Sequence, residues 1–134
     1  LGLELARTEG CARPSRRLTR AADAAVEAAR AHLEARFAEP IDLAELSRVA
    51  LMSPFHLARA FRARTGTSPH RYLMDVRLRA VEAMLRDGEL TVSRIADRTG
   101  FGSPSHLSRR FAARYRMSPS SYRRTFGRGS RTPR

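Results

Sequence analysis

Hydrophobic residues along this chain recur at three- and four-residue intervals, the period of helices packed on one side. Val26, Ala29, Leu33 and Phe37 share one face of a helix predicted over roughly residues 20–37, and Pro40 breaks the chain after it. Asp42 is the expected N-cap of a short helix, with Glu45 reaching back in a capping box and Leu43, Leu46 and Val49 on the apolar side. A tight turn at Leu51–Met52 leads into Ser53-Pro54, a cap followed by proline at the first helical position, where a missing N–H costs nothing. This helix should run to about Arg64 and stop near Gly66.

The pattern continues downstream. Ser68-Pro69 opens a long helix, apolar at Tyr72, Leu73, Val76, Ala80, Val81, Met84 and Leu85, that Asp87-Gly88 ends. Thr91 caps another short helix with Val92, Ile95 and Ala96 facing inward, and Gly100-Phe101-Gly102 makes the turn after it. Ser103-Pro104 starts a helix extending to about Tyr115, and Ser118-Pro119 a final short one. No alternating strand pattern occurs.

Two stretches of this pattern are copies. Residues 53–72, SPFHLARAFRARTGTSPHRY, align with residues 103–122, SPSHLSRRFAARYRMSPSSY, with 11 identities in 20 positions, among them Leu57/Leu107, Arg59/Arg109, Phe61/Phe111 and Tyr72/Tyr122. Upstream, Leu43/Val92, Leu46/Ile95 and Ser47/Ala96 match when shifted by one, so the second turn holds an extra residue. A short helix, a tight turn and a longer capped helix form the helix-turn-helix signature, here in duplicate. The expected fold is all-α, with two tandem helix-turn-helix subdomains (20–67 and 89–126) joined by a long linker helix (68–88), an interdomain linker or tail over 1–19 and a disordered tail over 127–134.

Charge sharpens this picture. The net charge is +13, yet residues 46–74 hold five Arg and no acid, residues 98–134 ten Arg and no acid, and the rest is slightly negative. Two basic blocks predict a polyanion touched at two places, double-stranded DNA being the natural candidate. No stretch is apolar enough to span a membrane, and the blocks lack the continuous basic face of a membrane-surface helix. The lone Cys11 and four histidines without HxxxH or HExxH spacing suit an intracellular, metal-free protein with no cofactor. The chain has no Lys, Asn, Gln or Trp; GC-rich codon usage explains this, and the result leaves guanine-reading Arg abundant while adenine's usual readers are missing. Leu1 in place of Met suggests a fragment of a longer polypeptide.

With Leu57 and Phe61 buried, the first repeat helix presents Phe55, His56, Arg59, Arg62 and Ala63; with Leu107 and Phe111 buried, the second presents Ser105, His106, Arg109, Ala112 and Ala113. A recognition helix reads the major groove with its N-terminal half, which selects Phe55, His56 and Arg59, and Ser105, His106 and Arg109, with Ala58 and Ser108 flanking. Arg59 and Arg109 are candidates to bridge guanine O6 and N7, phosphate contact or a salt bridge being the alternative. Phe55 either packs on a thymine methyl or belongs to the core, and His56 and His106 either hydrogen-bond to the turn or touch a base. Phosphate contacts are expected from Ser53 and Ser103 at the helix starts and from Arg62, Arg98, Arg110, Arg123 and Arg124, with Arg64 and Arg114 structural. No nucleophile or carboxylate recurs beside the histidines, so catalysis is not expected. The 19-residue linker helix would be about 28 Å long, a strut suited to grooves roughly 34 Å apart on one face of DNA, and a rigid strut slightly short of that span would require the DNA to bend.

The segments IDLAELSRVALMSPFHLARAFRARTGTSPHRYLMDVRLRAVEAMLRDG and IADRTGFGSPSHLSRRFAARYRMSPSSYRR resemble the AraC/XylS transcription regulators, a likeness running from about Ile41 to Arg124. The resemblance implies a bilobed domain of about seven helices that inserts both recognition helices into adjacent major grooves. Members commonly activate transcription by contacting RNA polymerase, and most carry a separate effector-binding or dimerisation domain, which would lie outside this chain. The family's base-contacting places fall on Phe55, Ala58, Arg59, Ser105, His106 and Arg109. Two positions depart from the pattern: Ala58 is short where a long polar reader can stand, and Arg116 replaces the C-cap glycine represented by Gly66. A DNA-repair protein with a fused methyltransferase would need a cysteine-rich metal site that Cys11 alone does not provide, and an RNA-binding or architectural protein would not need two capped recognition helices. The expected localisation is the cytoplasm, at the nucleoid.

Overall fold

The computed structural model describes residues 16–128, and among these all regular structure is helical. Seven helices follow in order: α1 (Arg16–Ala35), α2 (Leu43–Ala50), α3 (Pro54–Thr65), α4 (Pro69–Asp87), α5 (Val92–Thr99), α6 (Pro104–Tyr115) and α7 (Pro119–Phe126). Helix α1 begins at Arg16, inside the segment expected to be a linker, and ends two residues before Phe37. Residues 1–15 of that expected linker and 129–134 of the expected tail, with Cys11, lie outside the described residues. Gly127 does not start a loose tail: it is buried, and its N–H donates to the Arg123 carbonyl at 2.7 Å.

Local chemistry sets most helix starts. Asp42, Ser53, Ser68, Thr91, Ser103 and Ser118 each have extended backbone and accept the N–H three residues on, satisfying a donor the helix leaves orphaned. At α2 only half of the expected capping box forms. Glu45 N–H donates to Asp42, but the Glu45 carboxylate turns to His32 Nε2 at 2.7 Å on α1. The apolar side of α2 also differs from expectation. Leu46, Ser47 and Ala50 are buried while Leu43 and Val49 are exposed, because α1 and α3 cover a narrow stripe of this two-turn helix.

The two units have matching cores. Leu46, Leu57, Phe61 and Leu73 pack with Val26, Ala29 and Leu33 of α1, and Ile95, Leu107, Phe111 and Tyr122 pack with Leu78, Val81 and Leu85 of α4. Phe61 meets Tyr72 edge-on at 5.5 Å, and Phe111 meets Tyr122 at 5.4 Å with the same T-shaped geometry. Each tyrosine hydroxyl is held by a carboxylate of the preceding long helix, Tyr72 by Glu34 of α1 and Tyr122 by Glu82 of α4. An arginine completes each set: Arg30 donates to Tyr72 at 3.4 Å and Arg86 to Tyr122 at 3.1 Å. Helix α4 therefore closes the first unit and founds the second.

Arg77, on α4, joins the units. It is buried, and it donates from Nε to the Phe37 carbonyl (2.7 Å) and from Nη2 to the Glu39 carbonyl (2.9 Å), fixing the α1–α2 loop to the strut. Burial works against its charge and lowers its proton affinity, so these two carbonyls stand in for lost water.

Candidate nucleic-acid interface

Leu57 and Phe61 on α3, and Leu107 and Phe111 on α6, are fully buried. Burying such side chains stabilises each by about 1.5–3 kcal/mol, enough to fix the rotation of each helix about its axis. The opposite faces follow. Phe55, His56, Arg59 and Arg62 are exposed on α3, and Ser105, Arg109 and Arg110 on α6. Ala58 and Ser108 are half-buried; Ala58 lines a mostly apolar groove of about 400 Å³ with Leu43, Leu46 and Pro69.

The two histidines part company. His106 is half-buried, lies edge-on to Phe101, and its Nδ1 is 3.2 Å from the Phe101 carbonyl. A carbonyl only accepts, so Nδ1 is the donor in this bond. His56 is exposed and bonds its own cap, Ser53 Oγ, at 3.0 Å. The turns explain the difference. Met52 N–H donates to Ser47 and Phe101 N–H to Ala96, so those residues are equivalent and the extra residue of the second turn is Gly102, at φ +83°.

Charge on these faces is unopposed. Helices α3 and α6 carry six arginines and no acid. The ion pairs among the described residues draw their acids from α1, α2, α4 and the loop after α1, and of these six arginines only Arg64 is engaged, with Asp23. Arg64 and Arg114, expected nearer the buried side, are both exposed, Arg64 pairing with Asp23 and Arg114 lying over the Tyr115 ring at 5.2 Å. Arg98 and Arg124 are exposed, Arg124 donating to Ser121 Oγ at 3.0 Å. Arg123 is half-buried and donates to the Leu90 carbonyl, which draws it away from the surface. Sequence reasoning passed over Arg71, which lines a cleft of about 380 Å³ between α4 and α6 with His70, Asp75 and Arg110. Its place in the acid-free block 46–74 was the available signal. Among the described residues no group of three or more His, Cys, Asp or Glu is placed to hold a metal, and no helix is long and apolar enough to cross a membrane.

Duplicated cores presenting two capped, basic, acid-free helices define a tandem helix-turn-helix protein. The helix-turn-helix domain family matches residues 46–125. A relative in Mycobacterium tuberculosis, the HTH-type transcriptional regulator Rv1931c, is 35% identical over 84 residues, covering 63% of this chain and 32% of the relative. The DNA-binding domain of the global transcriptional factor AdpA, solved in complex with a target DNA, superimposes with TM-score 0.73 at 29% identity, over 79% of this chain and 95% of that one. A probable AraC family transcriptional regulator from Rhodopseudomonas palustris superimposes with TM-score 0.69 at 27% identity, over 77% and 97%. This chain belongs to the AraC/XylS family. It spans between a fifth and a third of the length of the curated relatives it matches.

Proposed function

We propose that the chain is the sequence-specific DNA-binding part of a transcription regulator, and not an enzyme, that places α3 and α6 in adjacent major grooves of one DNA duplex. The observation that carries this reading is the repetition of an unpaired arginine face on two helices held by equivalent cores. Base edges are met by Phe55, His56, Ala58, Arg59, Ser105, His106, Ser108 and Arg109. Phosphates are met by Ser53, Ser103, Arg62, Arg98, Arg110, Arg123 and Arg124, of which Arg123 would have to leave Leu90. The regulator is an activator that contacts RNA polymerase, works at the nucleoid in the cytoplasm, and receives its signal through a separate domain. These features rest on the family. The domain boundaries, first unit to residue 67, strut to 88 and second unit to 126, belong to the same proposal.

Selection from a random duplex pool followed by mobility shift across a salt series tests it. Discrimination of a selected duplex over its scrambled form by well above tenfold is expected, with affinity falling steeply with salt. Discrimination below about tenfold would mark a nonspecific binder instead.

A further inference from the structure

Phe55 is 66% exposed and lies on the outward face of α3, while Phe61, Phe101 and Phe111 are buried. Its ring meets His56 edge-on at 6.2 Å, and the guanidinium of Arg59, one helical turn on, lies over it at 5.4 Å from the centroid. No acid pairs with Arg59 among the described residues, so the guanidinium rests over the ring with its hydrogen-bonding groups not taken up by a carboxylate. The second unit has the equivalent arginine, Arg109, but Ser105 in place of the ring.

We propose that Phe55 and Arg59 form one reading unit for a two-base-pair step, a guanine stacked against a thymine. The inference rests on the reading above that α3 enters a major groove. An arginine bridging guanine O6 and N7 lies in the plane of that base. The Phe55 centroid lies 5.4 Å from the guanidinium carbon, more than the roughly 3.4 Å between successive pairs, so the ring can reach the neighbouring base pair. The one apolar group on the major-groove edges is the C5-methyl of thymine; adenine and cytosine present amino donors that a phenyl ring would strip of water without replacement. Phe55 thus selects the methyl beside the guanine that Arg59 reads. The second unit, lacking the ring, reads its guanine without regard to a neighbouring methyl.

The test uses a duplex selected from a random pool. Each thymine is replaced singly by deoxyuridine, which removes only the methyl, and each guanine by 7-deazaguanine. Binding should weaken about fourfold for one thymine beside a guanine in the α3 half, and about tenfold or more when that guanine loses N7. Phe55→Ser, which copies Ser105 at an exposed position, should abolish the thymine-over-uracil preference while keeping the guanine preference; Arg59→Ala should abolish the guanine preference. No methyl-sensitive thymine beside a guanine in the α3 half, or a full methyl preference surviving in Phe55→Ser, overturns the pair while leaving the regulator intact. A selection that enriches no duplex overturns base reading itself and the pair with it.

Discussion

Arg77 of the strut and Gly100 of the second turn touch: a Cβ added to Gly100 would lie 2.9 Å from Arg77 Nε and 3.0 Å from the Ala38 carbonyl oxygen. Gly100 also has φ +86°, where a side chain is strained. The second turn therefore abuts the loop of the first unit through a buried arginine. Gly66 has a similar φ of +82° but open space around it. Gly66→Ala should cost only left-handed strain, about 1 kcal/mol, and Gly100→Ala clearly more. Denaturant midpoints of the two variants, compared directly, measure the added cost of crowding at the joint.

Replacing Arg77 by Met keeps the apolar stem but removes the guanidinium, leaving the Phe37 and Glu39 carbonyls without their donor. Phe37 is half-buried and Glu39 exposed, so water can take up part of the loss and the cost should be about 1–2 kcal/mol. On the proposed function, affinity for a duplex with both half-sites should fall more than affinity for either half alone, since each reading face is untouched. Equal losses on full and half sites in mobility shifts would remove Arg77 from the coupling of the units.

Stability should decline at both ends of the pH range around the Glu82 cluster. Hydrogen bonding to Tyr122, aided by Tyr115 and Arg86, holds the Glu82 carboxyl below the usual range for glutamate. A depressed carboxyl contributes stability above its unfolded value, roughly pH 4.3, and loses it as pH falls through the folded value. Burial first, then Glu82, pushes the Tyr115 hydroxyl up to about 12 and also raises Tyr122. Groups raised in the fold contribute fully below their unfolded value near 10 and lose that contribution as pH rises through the folded one. Thermal melts should show a plateau between about pH 5 and 9.5 with a shoulder on each side; Glu82→Gln should flatten the acid shoulder and Tyr115→Phe reduce the alkaline one.

Arg116 caps α6 with φ +65°, a conformation its equivalent Gly66 adopts without a Cβ. Arg116→Gly should raise stability by about 0.5–1 kcal/mol, relief of strain outweighing the added freedom of the unfolded chain. A lowered melting temperature would show that the Arg116 side chain contributes more than its backbone costs.

Arg59→Ala and Arg109→Ala should each relax specificity in one half of a selected site, at about 1–3 kcal/mol. Arg62→Ala and Arg110→Ala should weaken binding evenly across sequences and reduce the salt slope by about one. Sequence-independent losses for Arg59 or Arg109 would reassign them to phosphates.

What could be read from sequence was mainly what is decided within a few residues. The Ser53, Ser68, Thr91, Ser103 and Ser118 caps follow because donor and acceptor are three positions apart. Burial of Phe61 and Phe111 follows from helical spacing, and their equivalence from the repeat. Contacts made across the fold left no such trace. The Glu45–His32 bond spans 13 residues and Arg77 reaches back 40 to Phe37, so Glu45 looked like half of a capping box and nothing near Arg77 in sequence marked it as buried. The repeat itself misled at the histidines. His56 and His106 are identical in sequence and differ in role because Gly102 reshapes the turn in front of only one of them. Among the interface candidates the outward arginines were legible from the periodicity, but the diversion of Arg123 to Leu90, 33 positions earlier, was not.

One helix, α4, serves both units through residues at its two ends. Tyr72 seals the first core from the start of α4, and Glu82, ten residues along the same helix, anchors the next tyrosine. Helix α7 repeats the opening of α4 with Tyr122, but Gly127 ends it five residues later, before any turn that could carry a counterpart of Glu82. Phe126 instead folds against Tyr122 at 4.7 Å, and Arg86 reaches over it at 5.8 Å. Each long helix supplies the carboxylate and the arginine that hold the tyrosine of the unit it enters, and α7 is too short to do the same. Lengthening α7 with the Glu82-bearing turns of α4 is accordingly the engineering step that would have to precede any attempt to add a third unit.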